Sequence, residues 1–449
     1  MNEKNFRVGY ARRDITPDFS VPLAGYGNTM KRMSQGWYSH IYATCLAFTD
    51  ENDETLLVFT TDLIVTRAIF SSAVRKAIFE ATGIAADHIN ISATHTHSAP
   101  DVLGVIGEGH PYFDLYVREL TQAALDALAD RAPATATAGQ TQVQGLGFVR
   151  HFLMSDGSIR GDNYGTDVGK TFVGYTMPND DQMQLVRFAR EEKQDVLMVN
   201  WQAHPTVGST SASESGQLLR PFIGADYVGS CRDAVEKKTG VLFAFFQGAS
   251  GNVNSRSRIV ADSPTTDVHK YGQQLAEFVF KGMEDMHEVQ LGKIQACSMI
   301  YTGKLDHSED PLVPQALLIQ EEWLRTNDLG HCIEFARPYG IHSPYHANAI
   351  ISRSRAEETQ STELAAATMG QIGFAFAPYE MFCNNGQAIK EGSACPVTFV
   401  AECSNDNASY IGSKEAYDHG CYEVDMRRFV RGTGEEMAQC FVDMLNQMQ

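Results

Sequence analysis

Apolar residues in this chain come in short runs that stop at glycine, proline or polar pairs, and those stops set the expected elements. Residues 6–11 alternate as a strand does, and Asp14-Ile15-Thr16-Pro17 breaks them. Residues 22–28 are punctuated by glycines and read as a loop. Runs at 41–48 and 55–61 predict two strands, the second ending in Asp62. Residues 66–82 carry Ile69, Val74, Ile78 and Phe79 at helical spacing, and a second amphipathic helix is expected at 113–129. Between them, Ile89-Asn90-Ile91 opens a β-branched strand. Thr/Ala/Val residues at 134–144 predict another.

The second half continues in the same grammar. Residues 160–182 are polar and glycine-rich and read as a long surface loop. Strands are expected at 183–190, 196–201, 241–246, near 295–305, at 371–377 and at 396–401, and helices at 221–237 and 267–286. Residues 312–326 and 344–357 also look helical, so 308–360 is expected to be a helical subdomain or lid. Strands alternating with helices predict an α/β fold, a mixed sheet flanked by helices. No repeat, low-complexity linker or charge block interrupts the chain, so residues 1–449 are expected to form one catalytic unit carrying that insertion.

The breaks carry the chemistry. After the fourth strand the chain reads Thr94-His95-Thr96-His97-Ser98-Ala99-Pro100. In an extended backbone, residues two apart point to one side, so His95 and His97 are expected to face one spot. The alternative is that one imidazole caps the strand end and the other is a surface residue. The same placement recurs after residues 196–201, as Gln202-Ala203-His204-Pro205, and after 371–377, as Pro378-Tyr379-Glu380. Carboxyl ends of neighbouring strands converge on one sheet edge. Two neutral imidazoles and a carboxylate are a ligand set for a catalytic zinc with a position left for water. His342 and His346 read as packing or substrate-pocket residues rather than a second metal site. The turn at 247–254 lacks the Lys-Ser/Thr of a phosphate-binding loop.

Composition narrows the function classes. The chain has 449 residues, 43% of them hydrophobic and 20% charged, as in a globular protein with a sizeable core. A formal net charge of −19 argues against nucleic-acid and anionic-membrane partners, which need a basic face. The first residues, Met1 to Arg7, show no apolar signal region, and no later run is long enough to span a bilayer. Nine cysteines lack CxxC spacing, and Cys45, Cys297 and Cys403 sit in apolar or alternating runs where a thiol packs as a small hydrophobe. The expected compartment is the reducing cytoplasm.

These segments resemble a known family. Thr94 to Pro100 is similar to the Thr-His-Thr-His-Ser-Gly-Pro segment of neutral/alkaline ceramidases, and Asn200 to Thr206 to that family's second zinc-histidine segment. Ala377-Pro378-Tyr379-Glu380 resembles its zinc-carboxylate turn, and Ser409-Tyr410-Ile411-Gly412 the segment whose tyrosine completes the zinc shell. Ala11 to Pro17, Thr61-Asp62-Leu63 and Phe148-Val149-Arg150 are also similar, in the same order along the chain. The resemblance implies zinc on His95, His204, Glu380 and Tyr410. Arg150 is then an anchoring or oxyanion-stabilising side chain, and His97 a proton-handling one. One departure stands out. Where ceramidases carry a nucleophilic serine this chain has Asn254, with Ser250 and Ser255 out of register.

The resemblance therefore implies the short, ceramidase-like branch without the nucleophilic serine. The expected activity is zinc-dependent hydrolysis of an amide, or ester, bond in a small soluble substrate by metal-activated water. His97 would be the general acid/base, with Arg150 and Asn254 holding the oxyanion. The alternative class is a metal-binding sensor or binding protein that keeps the shell without the chemistry. A phosphoesterase is a weaker third, because no carboxylate cluster for two metals is evident.

Overall fold

The computed structural model describes residues 6–26, 32–161, 171–210, 218–256 and 264–449. Two mixed sheets face each other, and helices cover both outer faces. The larger sheet has nine strands, with the order Leu242–Gln247, Val196–Trp201, Gln182–Arg190, Ala132–Gln142, Arg7–Asp14, Tyr42–Thr49, Thr55–Thr61, Ile89–Ala93, and His287–Val289 paired to Ala132–Gln142. The smaller has four, in the order Ile294–Lys304, Thr359–Met369, Ile372–Phe376, Val397–Ala401.

The sequence pattern explains the layers. Strands two-sided in their apolar content are buried on both faces. In Tyr42–Thr49, Cys45 and Ala47 point outward to the helices Ala68–Thr82 and Pro111–Ala129, beside Phe70, Val74 and Tyr116. Leu46 and Phe48 point inward and meet Phe374, Phe376 and Phe399 of the smaller sheet. Helices Asp226–Thr239 and Val268–Gly282 cover the other half of the large sheet. Cys383–Gly392 and Thr433–Gln447 cover the small sheet, through Ile389, Met437 and Phe441. Helices Val313–Thr326 and Pro344–Ser354 share a small core of their own around Ala316, Ile319 and Ile350.

His95 follows Ile89–Ala93 and His204 follows Val196–Trp201, so the two stand towards opposite ends of the strand order rather than on neighbouring strands as expected. The sheet's coiling brings those ends together. Thr60 Oγ1 donates to Phe245 O at 2.5 Å across the gap. The smaller sheet closes it: Asn405 N donates to Ile91 O at 2.8 Å, and Asn200 Nδ2 to Val400 O at 3.0 Å.

Other expectations shift at the margins. The first strand runs on through Asp14 because it pairs residue by residue with Tyr42–Thr49. Within the expected loop 160–182, Phe172–Tyr175 is a strand paired to His151–Met154, while residues 162–170 lie outside the described residues. The same is true of residues 1–5 and of 27 and 28 in the glycine-punctuated loop. Among the described residues no helix is long and apolar enough to cross a membrane, and all nine cysteines are unpaired.

Candidate metal centre

Each candidate imidazole is clamped by a backbone carbonyl. His95 Nδ1 lies 2.6 Å from Ile64 O, His97 Nδ1 2.9 Å from Gly25 O, and His204 Nδ1 2.8 Å from Ser250 O. A carbonyl only accepts, so all three rings carry their proton on Nδ1 and present the bare Nε2 lone pair. The three residues offer ring nitrogens within 4.8 Å of one another, in a buried pocket. His97 Nε2 is 3.4 Å from His95 Nε2.

His95 and His97 do converge, but not for the expected reason. The strand ends at Ala93, and His95 adopts a left-handed backbone with φ +67°. The turn, not strand alternation, aims the rings together. Thr94 N donates to Thr61 O at 2.8 Å, and His97 N to Pro205 O at 3.2 Å, which fix that turn.

Glu380 supplies the carboxylate. It opens no helix; it lies in a two-residue strand, Glu380–Met381, paired in parallel with Tyr410–Ile411. Its Oε2 is 3.3 Å from both His95 Nε2 and His204 Nε2. Ligand atoms around a tetrahedral zinc with bonds of about 2.0–2.1 Å stand roughly 3.3–3.4 Å apart, so this spacing suits such an ion. His204 Nε2 and Glu380 Oε2 are buried, yet neither makes a hydrogen bond of acceptable geometry. Buried polar atoms left without a partner are costly, and a cation between them satisfies both. The residues therefore fit a metal.

Electrostatics agree. Burial favours neutral Glu380, but the interactions with the adjacent His95 and His204 rings outweigh it and hold the carboxyl well below its ordinary range. Burial, then Arg150, pushes His204 down to about 4. Burial and the other two imidazoles push His97 well down. Burial opposes a charge on His95 too, but Glu380 overcomes it and raises the pKa. Burial and Glu380 push the Tyr410 phenol well up.

Arg150 is buried beside this cluster and is fully engaged. Its Nε lies 2.6 Å from Glu423 Oε1. Nη2 donates to Gly251 O at 2.8 Å and to Tyr410 Oη at 3.4 Å, and Nη1 to Asn254 Oδ1 at 3.1 Å. Asn254 also bridges to His204 through the backbone. The two displaced serines look elsewhere: Ser250 Oγ donates to the buried Glu402, and Ser255 Oγ lies 3.4 Å from Thr206 Oγ1. Asp62 is not in the cluster; it buttresses from behind, binding Arg232 at 2.7 Å. Cys403 is not in a strand, and its sulfur sits 3.4 Å from His95 Nδ1.

Sequence reasoning missed Glu423 and Glu402. Glu423 binds Arg150 and, at 2.7 Å, His151 Nε2. Glu402 receives Ser250 N at 3.1 Å and Met381 N at 2.9 Å, so it ties the His204 turn to the Glu380 strand. Glu423 follows a short segment with no local signal, whereas Glu402 directly follows the buried strand Val397–Ala401, the same placement that pointed to His204 and Glu380. Tyr422, which packs edge-on to Tyr410 with centroids 5.8 Å apart, was equally invisible.

An α/β sandwich whose strand ends gather buried imidazoles and a carboxylate has a site that can hold a metal ion. The chain matches the family model of the neutral/alkaline non-lysosomal ceramidase N-terminal domain over residues 6–242, and it belongs to that family. Among solved structures it is similar to neutral ceramidase from Pseudomonas aeruginosa, with a TM-score of 0.73 and 17% identity over 99% of this chain and 74% of that one. A ceramidase complexed with C2 gives a TM-score of 0.73 and 16% identity, over 99% of this chain and 75% of that one. Comparison with curated protein sequences gives no match.

Proposed function

We propose that this protein is a zinc-dependent hydrolase that cleaves an amide, or ester, bond of a small soluble substrate. The observation that carries the reading is the pair of 3.3 Å contacts by which Glu380 Oε2 meets His95 Nε2 and His204 Nε2. Zinc would be held by His95, His204, Glu380 and Tyr410. When bound, it lowers the pKa of water towards neutrality and polarises a carbonyl.

The chain's own residues supply the rest. His97 is neutral, with Nδ1–H on Gly25 O, so its Nε2 accepts a proton from the attacking water and returns it to the leaving group. Asn254, whose Oδ1 is held by Arg150, would donate from its amide nitrogen to the developing oxyanion. Arg150 acts by positioning: its guanidinium holds Asn254 and Tyr410 in place while Glu423 balances its charge. Ser250 and Ser255 have no part in bond cleavage.

Ceramide in a bilayer is not the substrate of this reading, and neither nucleic acid nor membrane is a partner. The unit acts in the cytoplasm, and residues 308–360 form a helical subdomain within the single catalytic unit. The test is elemental analysis of purified protein followed by a panel of N-acyl and O-acyl compounds. About one zinc at this centre and turnover that disappears on chelation are expected. Asn254 in place of a serine favours a second reading, a metal-dependent binding protein; zinc retention with no turnover across the panel would establish that one instead.

A further inference from the structure

On the far side of Arg150 from the centre lies a second group of ligand-type side chains. His151 begins the strand His151–Met154, His419 ends the short helix Ala416–His419, and Cys421 precedes the turn Tyr422–Asp425. One ring nitrogen from each histidine and the thiol sulfur lie within 4.8 Å of one another. His151 and Cys421 are buried; His419 is half-buried.

The chemistry of the two rings is unfinished. His151 is fully buried, and its Nδ1 has no hydrogen-bond partner. His419 Nε2 is likewise buried and unpartnered. Glu423, kept ionised by Arg150 and His151 against the cost of burial, can only accept, so His151 Nε2 carries the proton at 2.7 Å. Nδ1 is then a bare lone pair aimed into a buried pocket. A carboxylate holding the outer nitrogen of an imidazole is how metal-ligating histidines are oriented. Two ring nitrogens without a hydrogen-bond partner among the described residues, on histidines gathered with a thiol, match Cys/His ligation of zinc.

A third candidate cluster serves as a contrast. His342 and His346 approach Asp425, but three of their four ring nitrogens are committed: His342 Nδ1 to Asp425 at 2.8 Å, His346 Nε2 to Glu309 at 3.1 Å, and His346 Nδ1 to His342 N at 3.2 Å. That group is a closed ionic network.

We propose that His151, His419 and Cys421 form a second metal site, which takes zinc or a cation of the same thiophilic, tetrahedral kind. Binding forms a metal–sulfur bond and releases the Cys421 thiol proton to solvent. The site has a structural consequence for the first centre. It anchors residues 419–423, which carry Glu423 against Arg150 and Tyr422 against Tyr410. It does not depend on the first centre being catalytic.

Cobalt(II) added to metal-stripped full-length protein tests it, because a thiolate ligand gives a sulfur-to-cobalt charge-transfer band in the near ultraviolet. None of His95, His97, His204, Glu380 and Tyr410 offers sulfur; Cys403 lies 3.4 Å from His95 on the Nδ1 side of the ring, so the Cys421→Ser variant is what assigns the band to the second site. About two equivalents of metal and the band are expected in the native chain. His204→Ala should lose one equivalent and keep the band. Cys421→Ser and, independently, His419→Gln should lose the other equivalent and the band. Zinc should also protect Cys421 from alkylation in the native chain, read by peptide mass spectrometry, which needs no variant to fold. A native chain without the band, a band that survives Cys421→Ser, or alkylation of Cys421 unaffected by zinc would overturn the proposal.

Discussion

Replacing Glu423 with glutamine isolates the ion pair on which the candidate centre leans. Glu423 is 2% exposed, and its two oxygens meet Arg150 Nε at 2.6 Å and His151 Nε2 at 2.7 Å. Burial alone would raise the carboxyl's pKa, but Arg150 and His151 overcome it and bring it from 4.5 down to about 2. A tenfold preference for the ionised form is worth about 1.4 kcal/mol, so the interaction contributes about 3 kcal/mol. Breaking a buried pair by removing one partner costs about 3–5 kcal/mol, so the two routes agree. Because the folded pKa is the lower one, the contribution is full above the unfolded value of 4.5 and is lost as pH falls towards about 2. Equilibrium urea unfolding of metal-stripped protein at neutral pH should show Glu423→Gln about 3 kcal/mol less stable. The difference should shrink steadily between pH 4.5 and about 2. A loss below about 1 kcal/mol at neutral pH, or one that does not change with acid, would refute the reasoning.

Further outcomes follow from the same geometry. His204→Ala and Glu380→Gln should each fail to retain zinc at the first centre through dialysis against a weak chelator, read by elemental analysis. His97→Ala should keep that zinc and lose about 10²–10⁴ in kcat/KM, with a flattened pH profile, if its Nε2 moves the proton. Asn254→Ala should cost about 10²-fold in kcat with metal content unchanged. Ser250→Ala should lose about 1 kcal/mol of stability through its bond to Glu402 yet stay within about tenfold in activity. Stoichiometric labelling of Ser255 by a serine-directed reagent, with loss of turnover, would contradict that. Hydrolysis of ceramide embedded in vesicles should be far slower than that of a soluble N-acyl compound.

What the sequence made legible was local. The buried strands Val196–Trp201 and Ile372–Phe376 are apolar runs with abrupt polar ends, so their existence and the residues that follow them were readable. The two helices on the first half of the large sheet show their faces through Val74 and Ile78 or Tyr116 and Leu120. Thr359–Met369 was not legible, because its polar start, Thr-Gln-Ser-Thr-Glu, hides a strand whose register is set by the long partner Ile294–Lys304. The C-terminal helix Thr433–Gln447 also went unread; its order rests on burying Met437, Phe441 and Leu445 against the small sheet. Glu423 follows the same rule. A carboxylate acquires its role from Arg150, a partner brought near only by the tertiary fold.

The candidate centre is held by strained backbone, and that is why His95 and His97 converge through a turn and not through the strand alternation read from the sequence. Four non-glycine residues around it have left-handed φ: His95 at +67°, Cys403 at +53°, Asn405 at +63° and Ser409 at +68°. Each such residue costs roughly 1–2 kcal/mol, so it persists only where other contacts over-determine it. They do so here. Ile64 O clamps the His95 ring at 2.6 Å. Asn405 exchanges bonds with Ile91 on both sides, through Oδ1 at 2.9 Å and N at 2.8 Å. Asn407 Oδ1 holds Ser409 N at 3.0 Å, which sets the entry of Tyr410. Every one of these residues immediately precedes, follows or is a side chain that faces the cluster or buttresses it. Regular strands would place successive side chains on alternating faces and carry them away from a common point. The turns cost backbone energy and bring the imidazoles, the carboxylate and the phenol to one place, and their bonds are made by the protein itself. The convergence is therefore built by folding, ahead of any ion.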